Sequence, residues 1–302
     1  MTKFKTLISI VGPTAVGKTA MGVLIAKHFN TEIISADSRQ IYQELAIGTA
    51  KPTITEMQGI KHHFIDSLSL TTHFSAGDFE KQGLILLEQL FQIHDVVVMV
   101  GGSGLFVKAI TEGFDDMPKV DEHLRESLNT QLATNGLAPL LNQLQHLDPV
   151  YFNLVDKHNA QRIIRALEIC LTSGKPYSTF RKSKAIVRNF NTISIGLEMP
   201  RDQLYDKINH RMDLMLEAGL LKEASAVITH RNEYALQTVG YTEVFGFLDK
   251  NYDYTQMVEL LKRNSRRYAK RQLTWFKKDP QTKWFSPSAF DKIIIYIDSI
   301  LK

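Results

Sequence analysis

The sequence has little cysteine and no long apolar run. Its 302 residues include a single cysteine, Cys170, so no disulfide can form within the chain. Because Cys170 lies between Ile169 and Leu171, we interpret it as a small buried hydrophobic residue in a reducing compartment. No apolar stretch approaches the roughly 18 residues of a membrane-spanning helix, and no charged-then-apolar leader precedes the first predicted strand. We therefore expect a cytoplasmic protein without a membrane partner.

A strong excess of one charge sign is also missing. Lys and Arg number 36 and Asp and Glu 32, for a formal net charge of +4, and 44% of the residues are hydrophobic. This composition is typical of a globular chain with a sizeable core. A weak positive charge permits an anionic partner without requiring one, so the placement of the cations matters more than their sum.

The clearest motif that is present lies near the start of the chain. Residues 12–19 read GPTAVGKT, follow the apolar residues 7–11 and fit the phosphate-loop pattern G-x-x-x-x-G-K-[ST]. In such a loop the backbone N–H groups converge on phosphate oxygens, Lys18 adds a positive charge and the Thr19 hydroxyl is placed to hold Mg²⁺. The alternative is a chance glycine turn, but the predicted strand before it and helix after it supply the required context. We predict a di- or triphosphate ligand, and the loop does not decide whether it is a nucleotide.

A carboxylate follows the second predicted strand. Asp37 comes directly after residues 32–36, and the carboxyl ends of parallel strands line the ligand crevice of an α/β sheet. We therefore expect Asp37 to face the same pocket as Lys18 and Thr19. The alternative is that Asp37 caps the next helix.

An acidic residue is missing after the third predicted strand, residues 95–100. Phosphate-loop ATPases carry a Walker-B aspartate there, whereas this chain continues GGSG at residues 101–104. The glycines would let the backbone approach a ligand closely and leave the Ser103 hydroxyl beside the pocket. The alternative is a turn that only starts a helix.

Metal-ligand spacing is missing as well. His62 and His63 are adjacent, so on a strand they point to opposite faces, and no cysteine or third histidine lies at ligand spacing. We prefer a structural role for both.

The second half of the chain changes pattern twice. Residues 119–184 are wholly helical by periodicity, and strand periodicity returns only at 192–197. We predict an α/β fold, a phosphate-loop NTPase-like parallel sheet flanked by helices, from residues 1–117 and 187–302. Residues 118–186 would form an all-helical insertion domain.

Positive charge is concentrated in one late helix, predicted over about residues 254–276 and called the basic helix below. Val258, Leu261, Tyr268 and Trp275 are its expected buried positions. Its expected exposed cations, with almost no acidic neighbours in the segment, are Lys262, Arg263, Arg266, Arg267, Lys270, Arg271, Lys277 and Lys278. This density indicates a polyanion partner, and a merely solvated helix face is the alternative.

Seven segments together carry a family resemblance. They are GPTAVGKT at 12–19, ISADSRQIY at 34–42, IGTAKP at 47–52, the histidine pair 62–63 with Asp66, GGSGL at 101–105, QRIIRALE at 161–168 and QTVGY at 237–241. In this order they resemble the bacterial tRNA dimethylallyltransferase family over nearly the whole chain. That family transfers a dimethylallyl group from dimethylallyl diphosphate to N6 of the adenine 3′ to the anticodon, in tRNAs reading codons that begin with U.

The resemblance implies a role for each matching residue. A diphosphate that leaves needs no Walker-B acid. Asp37 would be the general base, Thr19 the Mg²⁺ ligand and Ser103 a second catalytic residue. The implied diphosphate-binding residues are Gly12, Pro13, Thr14, Ala15, Val16, Gly17, Lys18, Thr19 and Arg211. The implied tRNA-binding residues are Asp37, Ser38, Arg39, Gln40, Gln161, Arg162, Ile163, Ile164 and Arg165, although a solvated helix face explains the polar residues of the second segment equally well.

The chain departs from the family pattern at two positions. Ser103 stands where threonine is common, and Phe106 where tyrosine is common. Serine keeps the hydroxyl, so only the pocket's shape is affected. Two other functions stay open: a small-molecule or nucleoside kinase, and a non-catalytic RNA-binding protein. We expect a monomer that needs Mg²⁺.

Overall fold

A six-stranded sheet forms the centre of the computed structural model, which describes residues 5–181 and 186–301. Its strand order is β3-β2-β4-β1-β5-β6, and every described strand pair is parallel. The strands are β1 (Thr6–Val11), β2 (Ile33–Ser35), β3 (His62–His63), β4 (Val96–Val100), β5 (Asn191–Leu197) and β6 (Lys283–Phe285). The parallel α/β prediction is confirmed.

Helices connect these strands and make up the rest of the regular structure. Those in the first half are α1 (Lys18–His28), α2 (Ile54–Met57), α3 (Ala76–Ile93), α4 (Gly104–Thr111), α5 (Glu122–Asn135) and α6 (Ala138–Leu147). Those in the second half are α7 (Pro149–Leu154), α8 (Ala160–Ser173), α9 (Arg201–Glu217), α10 (Leu220–Ala226), α11 (Tyr241–Leu248), α12 (Tyr254–Phe276) and α13 (Phe290–Leu301). The basic helix is α12.

The sheet is buried on both faces because its central strands β1 and β4 are mostly apolar. All six residues of β1 are buried, and its apolar residues divide between two hydrophobic clusters, with Leu7 and Val11 in one and Ile8 and Ile10 in the other. Such continuous apolar runs are typical of parallel strands that helices cover on both sides. The loops at the strands' carboxyl ends are left to form a site.

The chain divides into two compact units. One combines Met1–Glu112 with Val187–Lys302 and contains the sheet, and the other spans Gly113–Ile186. The described residues of the second unit contain helices and no strand, and Leu140, Leu144, Ile163 and Leu167 form the centre of its own core. None of the described helices is both long enough and apolar enough to cross a membrane.

Candidate active site

A cavity of about 640 Å³ opens beyond the carboxyl ends of β1, β2 and β4. Its walls come from the phosphate loop, the turn after β2, the loop 46–53, the start of the turn after β4, and helices α9 and α12. Among the residues singled out from the sequence, it brings together Lys18, Thr19, Asp37 and Arg211. The expectation that Asp37 shares a pocket with Lys18 and Thr19 is met.

The phosphate loop owes its shape to backbone conformations that most residues avoid. Gly12 and Gly17 have φ angles of 145° and 103°, and Ala15 also has a positive φ of 64°. A Cβ at Gly12 would lie 2.6 Å from the Leu197 carbonyl oxygen, so only glycine fits there. The loop therefore packs tightly against the end of β5.

Two of the cations that line the cavity have pKa values lowered by burial. Lys18 donates from Nζ to the Pro13 carbonyl oxygen at 2.8 Å. Burial lowers the pKa of Lys18 to about 8, with Asp37 acting in the opposite direction and Arg211 adding to the decrease. Burial also lowers the pKa of Arg211, and Glu56 opposes that effect. Paired buried cations of this kind favour an anionic ligand.

Asp37 shapes the turn in which it lies. Its Oδ1 accepts hydrogen bonds from the N–H groups of Arg39 at 2.9 Å and Gln40 at 3.4 Å. No helix follows in residues 38–53, so the helix-capping alternative is wrong. Within the described residues no hydrogen bond is made to Oδ2. One carboxylate oxygen therefore fixes the turn while the other is available to a substrate.

Ser103 acts on the same turn from the neighbouring strand end. Its Oγ accepts from the Ser38 N–H at 2.9 Å and lies 3.1 Å from the Ser38 hydroxyl. The nearby Gly101 has no room for a side chain because a Cβ would lie 2.1 Å from the Ala36 carbonyl oxygen. The sequence indicated that the backbone at these glycines lies close to a ligand. At Gly101 it instead lies close to the protein's own backbone at Ala36.

Gln272 on α12 is a site residue that the sequence reasoning missed. Its Oε1 accepts from the Thr14 N–H at 2.8 Å, and its Nε2 donates to the Gly102 carbonyl oxygen at 3.0 Å. This buried side chain thus links the phosphate loop to the turn after β4. The helical spacing could have indicated this residue, because Gln272 lies on the same buried face of α12 as Ser265 and Ala269.

Glu223 on α10 is a second missed residue. Its carboxylate accepts from the N–H groups of Ala46, Ile47 and Gly48 at 2.8 to 3.0 Å and from the Tyr241 hydroxyl at 2.6 Å. It holds in place a loop that forms one wall of the cavity. The loop is also fixed from the Asp37 turn, because Gln40 donates to two of its carbonyl oxygens at 3.1 and 3.2 Å.

Both histidines make hydrogen bonds within the fold, and His62 also lines the cavity. His63 Nε2 lies 2.5 Å from a Glu32 carboxylate oxygen, and His62 Nδ1 lies 2.9 Å from the Ile60 carbonyl oxygen. No group of three or more His, Cys, Asp or Glu side chains in residues 5–181 and 186–301 is placed to hold a metal ion.

The basic helix is less exposed than its pattern predicts. Lys262 pairs with Asp213 at 2.6 Å, Lys277 pairs with Glu198 at 2.8 Å, and Arg266 donates to the Asn209 side chain at 2.6 Å. The expectation that every cation is exposed is therefore wrong for Lys262 and Arg266, both half-buried. Trp275 was expected to be buried but is 36% exposed, and it packs over Gly104. The exposed cations are Arg263, Arg267, Lys270, Arg271, Lys277 and Lys278.

The predicted tRNA-contacting residues on helix α8 of the insertion differ in their exposure. Gln161 and Arg162 are exposed, whereas Ile163 and Ile164 are buried in the insertion's own core. The two isoleucine side chains therefore support the segment and present nothing to a ligand. Arg165 donates to the fully buried Glu168 at 3.1 Å, and Arg125 binds the same carboxylate through two nitrogens. Burial raises the pKa of Glu168, but the two arginines hold it below its usual value.

Comparison with known proteins gives consistent matches. A family model described as IPP transferase matches residues 40–279. The tRNA dimethylallyltransferase of Cytophaga hutchinsonii is 52% identical over 298 residues, which cover 99% of this chain and 98% of that protein. The corresponding protein of Christiangramia forsetii is 50% identical over 97% of both chains.

A solved structure extends the likeness to three dimensions. The tRNA isopentenylpyrophosphate transferase of Bacillus halodurans is 39% identical, with a TM-score of 0.72. The alignment covers 98% of this chain and 95% of that one. The similarity therefore includes both the sheet and the insertion.

Proposed function

Because the chain belongs to the IPP transferase family, as the resemblance implied, we propose that it transfers a dimethylallyl group from dimethylallyl diphosphate to a tRNA adenine. The acceptor is N6 of the adenine immediately 3′ to the anticodon, in tRNAs reading codons that begin with U. The observation that carries the proposal is one cavity lined by Lys18, Arg211 and Asp37. It combines an anion-binding wall with a carboxylate base.

The diphosphate lies on the phosphate-loop side of the cavity. The backbone of residues 12–19 binds its oxygens, and Lys18 and Arg211 neutralise its charge. Charge builds on the diphosphate as the carbon–oxygen bond breaks, so these groups stabilise the transition state more than the ground state. Glycine rather than an acid follows β4, which suits a donor that loses its whole diphosphate.

Thr19 fits the role of Mg²⁺ ligand. Its side chain lines the cavity, and within the described residues its hydroxyl makes no hydrogen bond. Mg²⁺ usually takes one or two protein oxygens and completes its shell with phosphate oxygens and water, so the lack of a larger acidic cluster among the described residues agrees with this ion. When bound, Mg²⁺ would offset charge on the leaving diphosphate.

Asp37 supplies the base. The adenine amino group is a poor nucleophile, so the N6 proton must leave as nitrogen attacks the allylic carbon. The carbon–nitrogen bond forms, the carbon–oxygen bond to diphosphate breaks, and the Asp37 carboxylate takes the proton. Ser103 holds the Asp37 turn through Ser38 and so positions this base.

The RNA is bound through several surfaces. The target base is flipped out of the anticodon loop into the cavity, at a cost of a few kcal/mol. Residues 37–40 contact it there, and the polar residues Gln161, Arg162 and Arg165 of the insertion bind the surrounding loop. The exposed cations of the basic helix bind phosphates. The enzyme acts as a monomer in the cytoplasm, where its tRNA substrates are found.

One assay tests the proposal against the kinase alternative. Unmodified tRNA and Mg²⁺ are incubated with labelled dimethylallyl diphosphate, or with γ-labelled ATP as a control donor. We expect label to reach RNA only from dimethylallyl diphosphate. Phosphoryl transfer from ATP to RNA or a small acceptor would favour a kinase, and tRNA binding without any transfer would favour a binding protein.

A further inference from the structure

Tyr268 on α12 is a cavity residue without a part in the function above. Its side chain lines the same cavity as Asp37 and Arg39. The Arg271 guanidinium lies over its ring, 5.7 Å from the centroid. Within the described residues the phenol hydroxyl makes no hydrogen bond, although the cavity wall partly buries the side chain. This hydroxyl is therefore available to a polar group of a substrate that enters the cavity.

The surroundings keep the Tyr268 phenol protonated. Burial is the main cause that raises its pKa, and the negative charge of Asp37 raises it further. Arg39 and Arg271 oppose this shift, whereas Tyr234 adds to it. At neutral pH the phenol is therefore a hydrogen-bond donor, while the nearby Asp37 carboxylate is purely an acceptor.

Within this one cavity, an acceptor and a donor can together match one edge of adenine. Adenine presents the N6 hydrogens as donors directly beside a ring-nitrogen acceptor, N1 on one edge and N7 on the other. On its Watson–Crick edge guanine presents the opposite order, because O6 accepts and N1–H donates. A carboxylate and a phenol that reach neighbouring atoms of the base thus pair with either edge of adenine, whereas they oppose the Watson–Crick edge of guanine.

We propose that Tyr268 determines base specificity by donating a hydrogen bond to N1 or N7 of the acceptor adenine while Asp37 accepts from N6. This inference rests on the proposed function, because it takes adenine as the acceptor. Tyr268 contacts the base but does not take its proton. The binding of dimethylallyl diphosphate does not depend on Tyr268.

Tyr268→Phe tests the proposal by removing only the hydroxyl. One neutral hydrogen bond corresponds to about a tenfold effect at most, so kcat/KM for tRNA should fall about three- to tenfold. The KM for dimethylallyl diphosphate and the Tm should stay unchanged. Tyr254→Phe is the matched control, since it removes a hydroxyl from an exposed tyrosine at the first turn of the same helix.

Modified anticodon stem-loops identify the hydrogen bond itself. The target adenine is replaced by 1-deazaadenine or 7-deazaadenine, each lacking one ring nitrogen. The wild-type enzyme should lose activity on one of them, and Tyr268→Phe should lose no further activity on that same RNA. Additive losses on both analogues, or normal activity of Tyr268→Phe on adenine, would overturn the inference. A wild-type enzyme that alkylates no RNA would instead refute the proposed function.

Discussion

The two units of this chain use paired cations and a carboxylate in opposite ways. In the cavity of the sheet unit, Lys18 and Arg211 are enclosed, and burial lowers the pKa of each. In the insertion, the carboxylate of Glu168 is the buried group, and Arg125 and Arg165 remain 47% and 40% exposed around it.

The difference separates an enclosed pair of cations, which favours a small anionic ligand, from two partly exposed arginines that already have a carboxylate partner. Burying two cations is costly, and a bound diphosphate offsets that cost by raising their pKa values again. The two arginines of the insertion already have a negative partner, because both are paired with the buried Glu168 carboxylate. In the proposed function, their exposed guanidinium groups are positioned to meet the phosphates of a tRNA at the surface.

Removal of the cavity carboxylate gives the largest expected effect. Asp37→Asn retains an oxygen that can accept from Arg39 and Gln40 but cannot take a proton. We expect kcat to fall about 10²- to 10⁴-fold, the range typical of a general base, with tRNA affinity little changed. Single-turnover rates and filter binding on one protein sample measure both quantities. Near-normal turnover would remove Asp37 from the role of base.

The pH dependence of donor binding tests the buried cations. Lys18 is charged below its pKa of about 8 and neutral above it, so affinity for dimethylallyl diphosphate should weaken as pH rises. A single ionisation predicts about a thirtyfold weaker affinity at pH 9.5 than at pH 7. Calorimetric titration without tRNA avoids ionisation of the RNA bases.

Lys18→Arg is the control for this pH effect. The guanidinium stays charged throughout this range, so the loss of affinity at high pH should disappear. If Lys18→Arg shows the same pH dependence as the wild type, another group is responsible for it.

Disruption of the cavity wall should have an intermediate effect. Glu223→Ala removes the acceptor of three backbone N–H groups and of the Tyr241 hydroxyl, so the loop 46–50 should loosen. We expect kcat/KM to fall about tenfold, mostly through KM, because about 1.4 kcal/mol of positioning energy is lost. Lys222→Ala, a neighbour on α10 that makes no hydrogen bond to this loop within the described residues, is the control. Equal kinetics for the two variants would show that the loop needs no such support.

Neutralising the basic helix should have the smallest effect on chemistry. Arg267, Lys270 and Lys278 are exposed, so replacing all three by alanine should weaken every tRNA alike and flatten the salt dependence of binding. Each duplex phosphate that the variant no longer neutralises reduces the slope of log K against log salt by about 0.9, and each single-stranded phosphate reduces it by less. Arg266→Ala is the contrasting variant, because its guanidinium binds Asn209. An unchanged slope in the triple variant would identify the helix as a solvated face.

The sequence predicts well the site features whose residues are neighbours in the chain. It misses the contacts between residues that are far apart in the chain. The phosphate loop and the turn at Asp37 can be located because each motif lies within a few residues of the strand that positions it. Gln272 meets Thr14 across 258 residues, and Glu223 meets Gly48 across 175, so no local pattern connects these pairs. The basic helix was predicted from Tyr254 to Phe276 as found, but the ion pair of Lys262 depends on an acid of α9, which lies far away in sequence.

The most direct test of the account follows both products of one turnover. Enzyme in excess is mixed with an unmodified anticodon stem-loop, Mg²⁺ and dimethylallyl diphosphate, and released diphosphate and N6-dimethylallyladenosine are quantified at each time point. We predict that they appear together in equal amounts in the wild type, and that Asp37→Asn slows both equally. Diphosphate released without alkylated adenosine, or alkylation at another atom of the RNA, would contradict it.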